Sequence, residues 1–142
     1  MKVTIKRIDT TLPLPEIKTK GSIGFDLVAR ENTVIKAFEI KLIPLNVVVK
    51  TPKGYGLLLI SRSSTPLKKG LQLANGVGVI DQDYCGEEDE LKMQAYNFTD
   101  APVTIERGER IAQAVFVKVA VPDFVEVESM NNLSRGGFGS TG

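Results

Sequence analysis

Short apolar stretches separated by turn residues recur along almost the whole chain, and that spacing restricts the possible folds more than any other feature. Residues 3–8, 25–29, 33–35, 39–43, 47–50, 57–60, 71–74, 76–80, 91–96, 103–105, 111–119 and 124–127 read as strands. Lys53-Gly54, Asn75-Gly76 and Arg107-Gly108-Glu109 supply turns between them, the pattern of a sandwich or barrel. No 12-residue window carries a sustained 3.6-residue apolar period. An all-β fold follows, with one short helix expected over residues 63–69, where Ser63 or Ser64 could cap and Pro66 would sit in the first turn.

A chain of 142 residues is the size of one domain, and 42% hydrophobic with 25% charged residues is ordinary for a globular protein. The N-terminus, MKVTIKRIDT, alternates charge and apolar character, and no stretch approaches the roughly 18 apolar residues of a membrane span, so a cytoplasmic protein is expected. The single cysteine, Cys85, cannot form an intrachain disulfide. Histidine is absent, which excludes imidazole-based triads, His-ligated zinc and histidine phosphotransfer. Any general base must be a carboxylate, a lysine or a tyrosine. A net charge of +1 disfavours a broad nucleic-acid-binding face, while a local arginine cluster could still hold a polyphosphate.

Several groups could carry chemistry. Ser61-Arg62-Ser63-Ser64 follows an apolar strand and opens the helix, bringing an arginine, hydroxyls and helix N-terminal amides to one point; a plain serine cap beside a solvated arginine is the simpler account. Residues 74–84, ANGVGVIDQDY, offer an Asn-Gly turn, a small-residue path where backbone can approach a ligand, and two acids. Asp81, at the edge of the apolar run, could orient or deprotonate a water, although most acids so placed only end a strand. Glu87-Glu88-Asp89-Glu90 reads as a solvated acidic loop. Strand alternation puts Gln113 on one face with Ile111 and Val115, where an amide either bonds backbone or reaches a ligand. The last dozen residues, NNLSRGGFGSTG, have little to bury and read as a flexible tail, with Phe138 able to stack on a planar ring and Arg135 able to reach phosphate.

In this order the blocks GSIGFDLVA (21–29), SRSS (61–64), NGVGVIDQDYCGE (75–87), GERIAQAVF (108–116) and GGFGSTG (136–142) resemble the trimeric dUTP pyrophosphatase family. The resemblance implies a distorted jelly-roll-like β-barrel with one short helix over residues 1–133, and a tail at 134–142 that covers the substrate. It implies Mg²⁺-dependent hydrolysis of dUTP to dUMP and pyrophosphate, supplying dUMP for thymidylate synthesis and keeping uracil out of DNA. Mg²⁺ would be held by phosphates and water with no direct protein ligand, in a homotrimer whose sites are shared between subunits. No nucleic-acid or membrane partner is implied.

By the same resemblance Asp81 activates the attacking water and Tyr84 packs on the deoxyribose, excluding a 2′-hydroxyl. Asn75 with the backbone of Gly78, Val79 and Ile80 reads uracil. Arg62, Ser63, Ser64 and Gln113 contact phosphates, Asp26 supports the site, and Lys92, counted back from Asn97, lies beside the base. Phe138 stacks over uracil on closure, with Arg135, Gly139 and Ser140 in the same tail. Two departures stand out: about three extra residues follow Gly86 in the acidic loop, and Leu133 occupies the usual tail-arginine position, five residues before Phe138, with Arg135 three before it. Two alternatives remain. dCTP deaminase, including its bifunctional form, shares the fold but needs a glutamate where Gln94 stands, and an amide cannot shuttle the proton. A non-catalytic nucleotide-binding module on the same scaffold is the other.

Overall fold

The computed structural model describes residues 1–137 and 139. Among them eleven strands and one helix follow in the order β1 (Thr4–Arg7), β2 (Gly24–Val28), β3 (Thr33–Ile35), β4 (Ile40–Pro44), β5 (Val47–Lys50), β6 (Tyr55–Ser61), α1 (Ser64–Lys69), β7 (Leu71–Leu73), β8 (Gly78–Ile80), β9 (Lys92–Asn97), β10 (Val103–Ile105) and β11 (Arg110–Lys118). All pairings are antiparallel. They form the sheets β2-β11-β6-β8, β4-β9-β7, β1-β5 and β3-β10. The fold is all-β, as the strand spacing predicts, and jelly-roll-like, as the family resemblance implies.

The sheets close on one apolar core. Leu57 and Leu59 of β6 face inward with Ala112 and Ala114 of β11, in one cluster with Ile43, Leu71, Met93 and Ala95 from the β4-β9-β7 sheet and Leu45 from the β4–β5 connection. Fully burying one such leucine contributes about 1.5–3 kcal/mol. Two buried asparagines satisfy backbone where strands end. Asn97 donates from Nδ2 to the carbonyls of Ile35, Lys36 and Ala101, and Asn46 exchanges bonds with the main chain of Asp9 at 2.7 and 3.1 Å.

Four sequence expectations change. Residues 124–127 alternate like a strand but form none: Phe124 and Val125 are 92% and 85% exposed, and among the described residues no strand pairs with them. The helix begins at Ser64, and Ser63 makes no side-chain cap, because its own backbone is already helical (φ −54°, ψ −32°) where a capping residue needs an extended one. Gly70 ends the helix in the left-handed region at φ 64°, donating to Pro66 O at 3.0 Å. The Asn75-Gly76 turn does not close a two-stranded hairpin, since β7 pairs with β9 and β8 with β6. Finally, β11 carries a bulge: Arg110 pairs with Val28 and Ala112 with Leu27, leaving Ile111 as an extra residue. Ile111 therefore joins the core, and Gln113 lies on the other face.

Candidate active site

One polar cluster forms where β2, β6 and β11 run side by side. Asp26 of β2 accepts from Arg62 Nε at 2.8 Å and from Arg110 Nη1 at 3.1 Å, one arginine to each carboxylate oxygen. Arg62 also donates to Arg110 O at 3.1 Å. Gln113 pairs across the sheet with Asp26 and Ile60, and its Nε2 donates to Ser61 O at 3.1 Å. Its Oε1 lies 3.3 Å from where a Cβ on Gly24 would stand, so the glycine makes room for the amide. Ser63 and Ser64 continue directly from Arg62 into α1, which Thr65 ties to β11 through a 3.0 Å bond to Ile111 O. Lys18, Gly21 and Ser22 join Asp26 and Gln113 in lining the cavity at this end. Two arginines against one carboxylate leave net positive charge, which suits a phosphate chain.

A second group lies at the opposite end of β6. Among the described residues β8 pairs only with β6, so its other edge leaves main-chain donors and acceptors open to a flat polar ligand. A Cβ on Gly78 would meet Leu59 Cβ at 3.1 Å, so this residue must be small for the edge strand to lie flat on β6. Val79 points out, 69% exposed. The chain bends after Ile80, as the sudden polarity predicts, and Gln82 anchors the bend by donating to Tyr55 O at 2.8 Å. The exposed Asp81 lines a cavity with Tyr55, Gly56, Asp83 and Val119. Tyr84 follows, its N–H on Asp81 O at 3.3 Å and its ring half-exposed. Ala74 N bonds Gln94 O at 2.8 Å, continuing the β7–β9 pairing so that the exposed Asn75 faces the Lys92 end of β9.

The two groups are not brought together within one chain. Ile80 pairs with Leu57 and Ala112 with Ser61, a separation of about 13 Å along β6 at roughly 3.3 Å per residue. Asp81 continues past the first point and Arg62 past the second, in opposite directions. Arg135 and Gly139 are exposed and far along the chain from either group, while Phe138 and Ser140 lie outside the described residues. Among the described residues no three His, Cys, Asp or Glu side chains converge as a metal cage.

A family model described as dUTPase matches residues 10–142, through both groups. The chain belongs to the dUTPase family. A deoxyuridine 5'-triphosphate nucleotidohydrolase from Hydrogenobaculum sp. (strain Y04AAS1) is 40% identical over 145 residues, spanning 100% of this chain and 99% of its own. That of Lactococcus lactis subsp. lactis (strain IL1403) is 42% identical over 144 residues, spanning 99% and 95%. Among solved structures, the dUTPase of Streptococcus mutans superposes with a TM-score of 0.77 at 39% identity, over 84% of this chain and 98% of that one. Staphylococcus bacteriophage 80alpha dUTPase with dUPNHPP reaches 0.87 at 29% identity, over 99% and 98%.

Within this dUTPase scaffold two residues escaped the sequence reading, Arg110 and Glu90. Arg110, the second cation on Asp26, falls one residue before the strand expected over 111–119, with no role read for it. Glu90 is buried, not solvated: Arg30 grips it through Nε at 2.8 Å and Nη2 at 3.0 Å, and Asn46 N donates to it at 2.8 Å. That partner holds the Arg30 guanidinium above its ordinary pKa against the opposing effect of burial. The rest of the acidic run does behave as surface, with Glu87 paired to Lys6 and its pKa lowered by that contact. A partner 60 residues away leaves no trace in local sequence, which is why Glu90 could not be told from its neighbours.

Proposed function

We propose that the protein hydrolyses dUTP to dUMP and pyrophosphate, with Asp81 as the base. The observation that carries this reading is the continuous run from Asn75 to Tyr84, an open strand edge leading into a carboxylate and a ring, in a chain whose dUTPase match extends through all of it. The main chain of Gly78, Val79 and Ile80, with Asn75, would read uracil, and Lys92 would approach the base from β9. Tyr84 would lie against the deoxyribose and leave no space for a 2′-hydroxyl. Asp81 would hold a water and take its proton as the oxygen attacks the α-phosphorus. The bond from that phosphorus to the bridging oxygen breaks, and pyrophosphate leaves.

Arg62, Ser63, Ser64 and Gln113 would hold the phosphate chain, with Asp26 fixing the direction of Arg62. Because both Asp26 oxygens are engaged by arginines, this pocket fits phosphates that carry their own cation better than it fits a bare metal ion. Mg²⁺, held by phosphate and water oxygens, would neutralise charge on the triphosphate. The separation of Asp81 from the arginine cluster exceeds what the three phosphorus atoms of one nucleotide span. It supports a homotrimer in which each site joins Asp81 of one subunit to the arginine cluster of another. Residues 134–142, bearing Arg135, Phe138, Gly139 and Ser140, would cover the bound base. A cytoplasmic location accords with this chemistry, and among the described residues no helix is long and apolar enough to cross a membrane.

The test is pyrophosphate release from dUTP, dCTP, dTTP and UTP in the presence of Mg²⁺. Turnover confined to dUTP is the expected result. Conversion of dCTP to dUTP or dUMP would favour the deaminase, and no turnover of any nucleotide would favour a binding module.

A further inference from the structure

The buried Arg30–Glu90 pair lies outside both groups of site residues, yet its main chain touches one of them. Tyr84 Oη donates to Glu90 O at 3.2 Å. That contact, long for a hydroxyl donor, ties the tip of a ring that is 39% exposed. A hydroxyl can restrain a ring only as firmly as its acceptor is itself held. Here the acceptor residue is clamped three times through its side chain, by Arg30 Nε, Arg30 Nη2 and Asn46 N. The next residue is fixed as well: Leu91 donates to Val47 O at 2.8 Å and accepts from Leu45 N at 2.9 Å. Arg30 is anchored by its own N–H on Pro44 O at 2.9 Å. The carbonyl that receives Tyr84 is thus tied to the end of β2 and to the β4–β5 connection, two rigid parts of the barrel, although it belongs to a surface loop.

The clamp is also selective within the acidic run. Glu87 and Glu88 are exposed, and Asp89 turns back onto Gly86 N at 2.6 Å. Only Glu90 enters the barrel. The loop between Tyr84 and β9 therefore has the length to bring one carbonyl under the tyrosine hydroxyl and one carboxylate to Arg30.

We propose that Glu90, through its pairing with Arg30, is a positioning residue that sets the angle of the Tyr84 ring and thereby the discrimination between deoxyribo- and ribonucleotides. This rests on the reading of Tyr84 as the residue packed against the sugar. A ring held at one tilt excludes a 2′-oxygen, and a ring free to swing admits it. Catalysis on the correct substrate depends less on the tilt, because the deoxyribose makes no demand on the vacated space.

The experiment compares kcat/KM for dUTP and UTP in the full-length protein and in Tyr84→Ala, Tyr84→Phe, Glu90→Gln and the Tyr84→Phe/Glu90→Gln double variant. Tyr84→Ala is expected to collapse the dUTP/UTP ratio; an unchanged ratio would overturn the sugar-packing reading and the proposal with it. Tyr84→Phe, which keeps the ring and loses the hydroxyl, is expected to lower the ratio about five- to tenfold, the worth of one hydrogen bond. Glu90→Gln is expected to do the same, and the double variant to fall no further, since both act through a single contact. If Tyr84→Ala collapses the ratio while Tyr84→Phe and Glu90→Gln leave it at the wild-type value, the sugar-packing reading stands and the positioning role is overturned. A purely structural Glu90 would lower thermal stability and both kcat/KM values together, leaving the ratio intact, which likewise overturns it. Should Glu90→Gln fail to fold, Arg30→Lys, which loosens the same clamp from its other side, decides the point by the same ratio.

Discussion

At the scale of single residues, the side chains with an inferred chemical role are those whose surroundings leave them something to do. Asp26 is consumed by two arginines and serves as their support, while Asp81 stands exposed at the end of a strand with a cavity beside it. Replacing Asp81 by asparagine keeps the shape and removes the proton acceptor. We expect Asp81→Asn to lose at least about 10²-fold in kcat, with binding of a non-hydrolysable dUTP analogue, followed by calorimetry, little changed. Undiminished pyrophosphate release from that variant would remove Asp81 from its role. Local sequence made Asp81 a candidate, because an acid that ends an apolar run is visible in one dimension, and its proposed role came from the ordered blocks. It did not suffice for Glu90, whose burial depends on Arg30 and on Asn46, 44 residues away.

At the scale of elements, alternation located β2 to β11 to within a residue or two, because each strand has one face in the core and one in water. It failed at residues 124–127, where the same alternation lacks a partner strand among the described residues. The short helix was recognisable from Pro66 and the serines before it, and its C-terminus is the more demanding end. A Cβ at Gly70 would lie 2.1 Å from Thr99 Cγ2, and the residue needs φ 64°. Gly70→Ala is therefore expected to cost about 2–3 kcal/mol, combining the left-handed backbone with overpacking against Thr99. Chemical denaturation should show a lower midpoint with an unchanged slope; an unshifted midpoint would mean that the 98–100 turn yields freely.

At the scale of the whole molecule, the decisive feature is that β6 separates two groups of site residues that one nucleotide would have to touch together. If sites are shared between subunits, two inactive variants with lesions in different groups should complement. Asp81→Asn and Arg62→Ala chains, co-refolded in equal amounts, are expected to recover about a quarter of wild-type activity from random mixing in a closed homo-oligomer. Either variant refolded alone should stay inactive, and no recovery in the mixture would confine each site to one chain. Sequence by itself determined the all-β class and the short helix and put forward most of the residues proposed for the site, because periodicity, turn chemistry and the ordered blocks are local patterns. Only the tertiary structure decided that Ile111 enters the core through a bulge, that Glu90 is clamped under Tyr84, and that Asp81 and Arg62 diverge along β6. Each of these depends on strand register and on contacts between residues far apart in the chain, and the free energy that selects them belongs to the packed barrel, not to any segment of it.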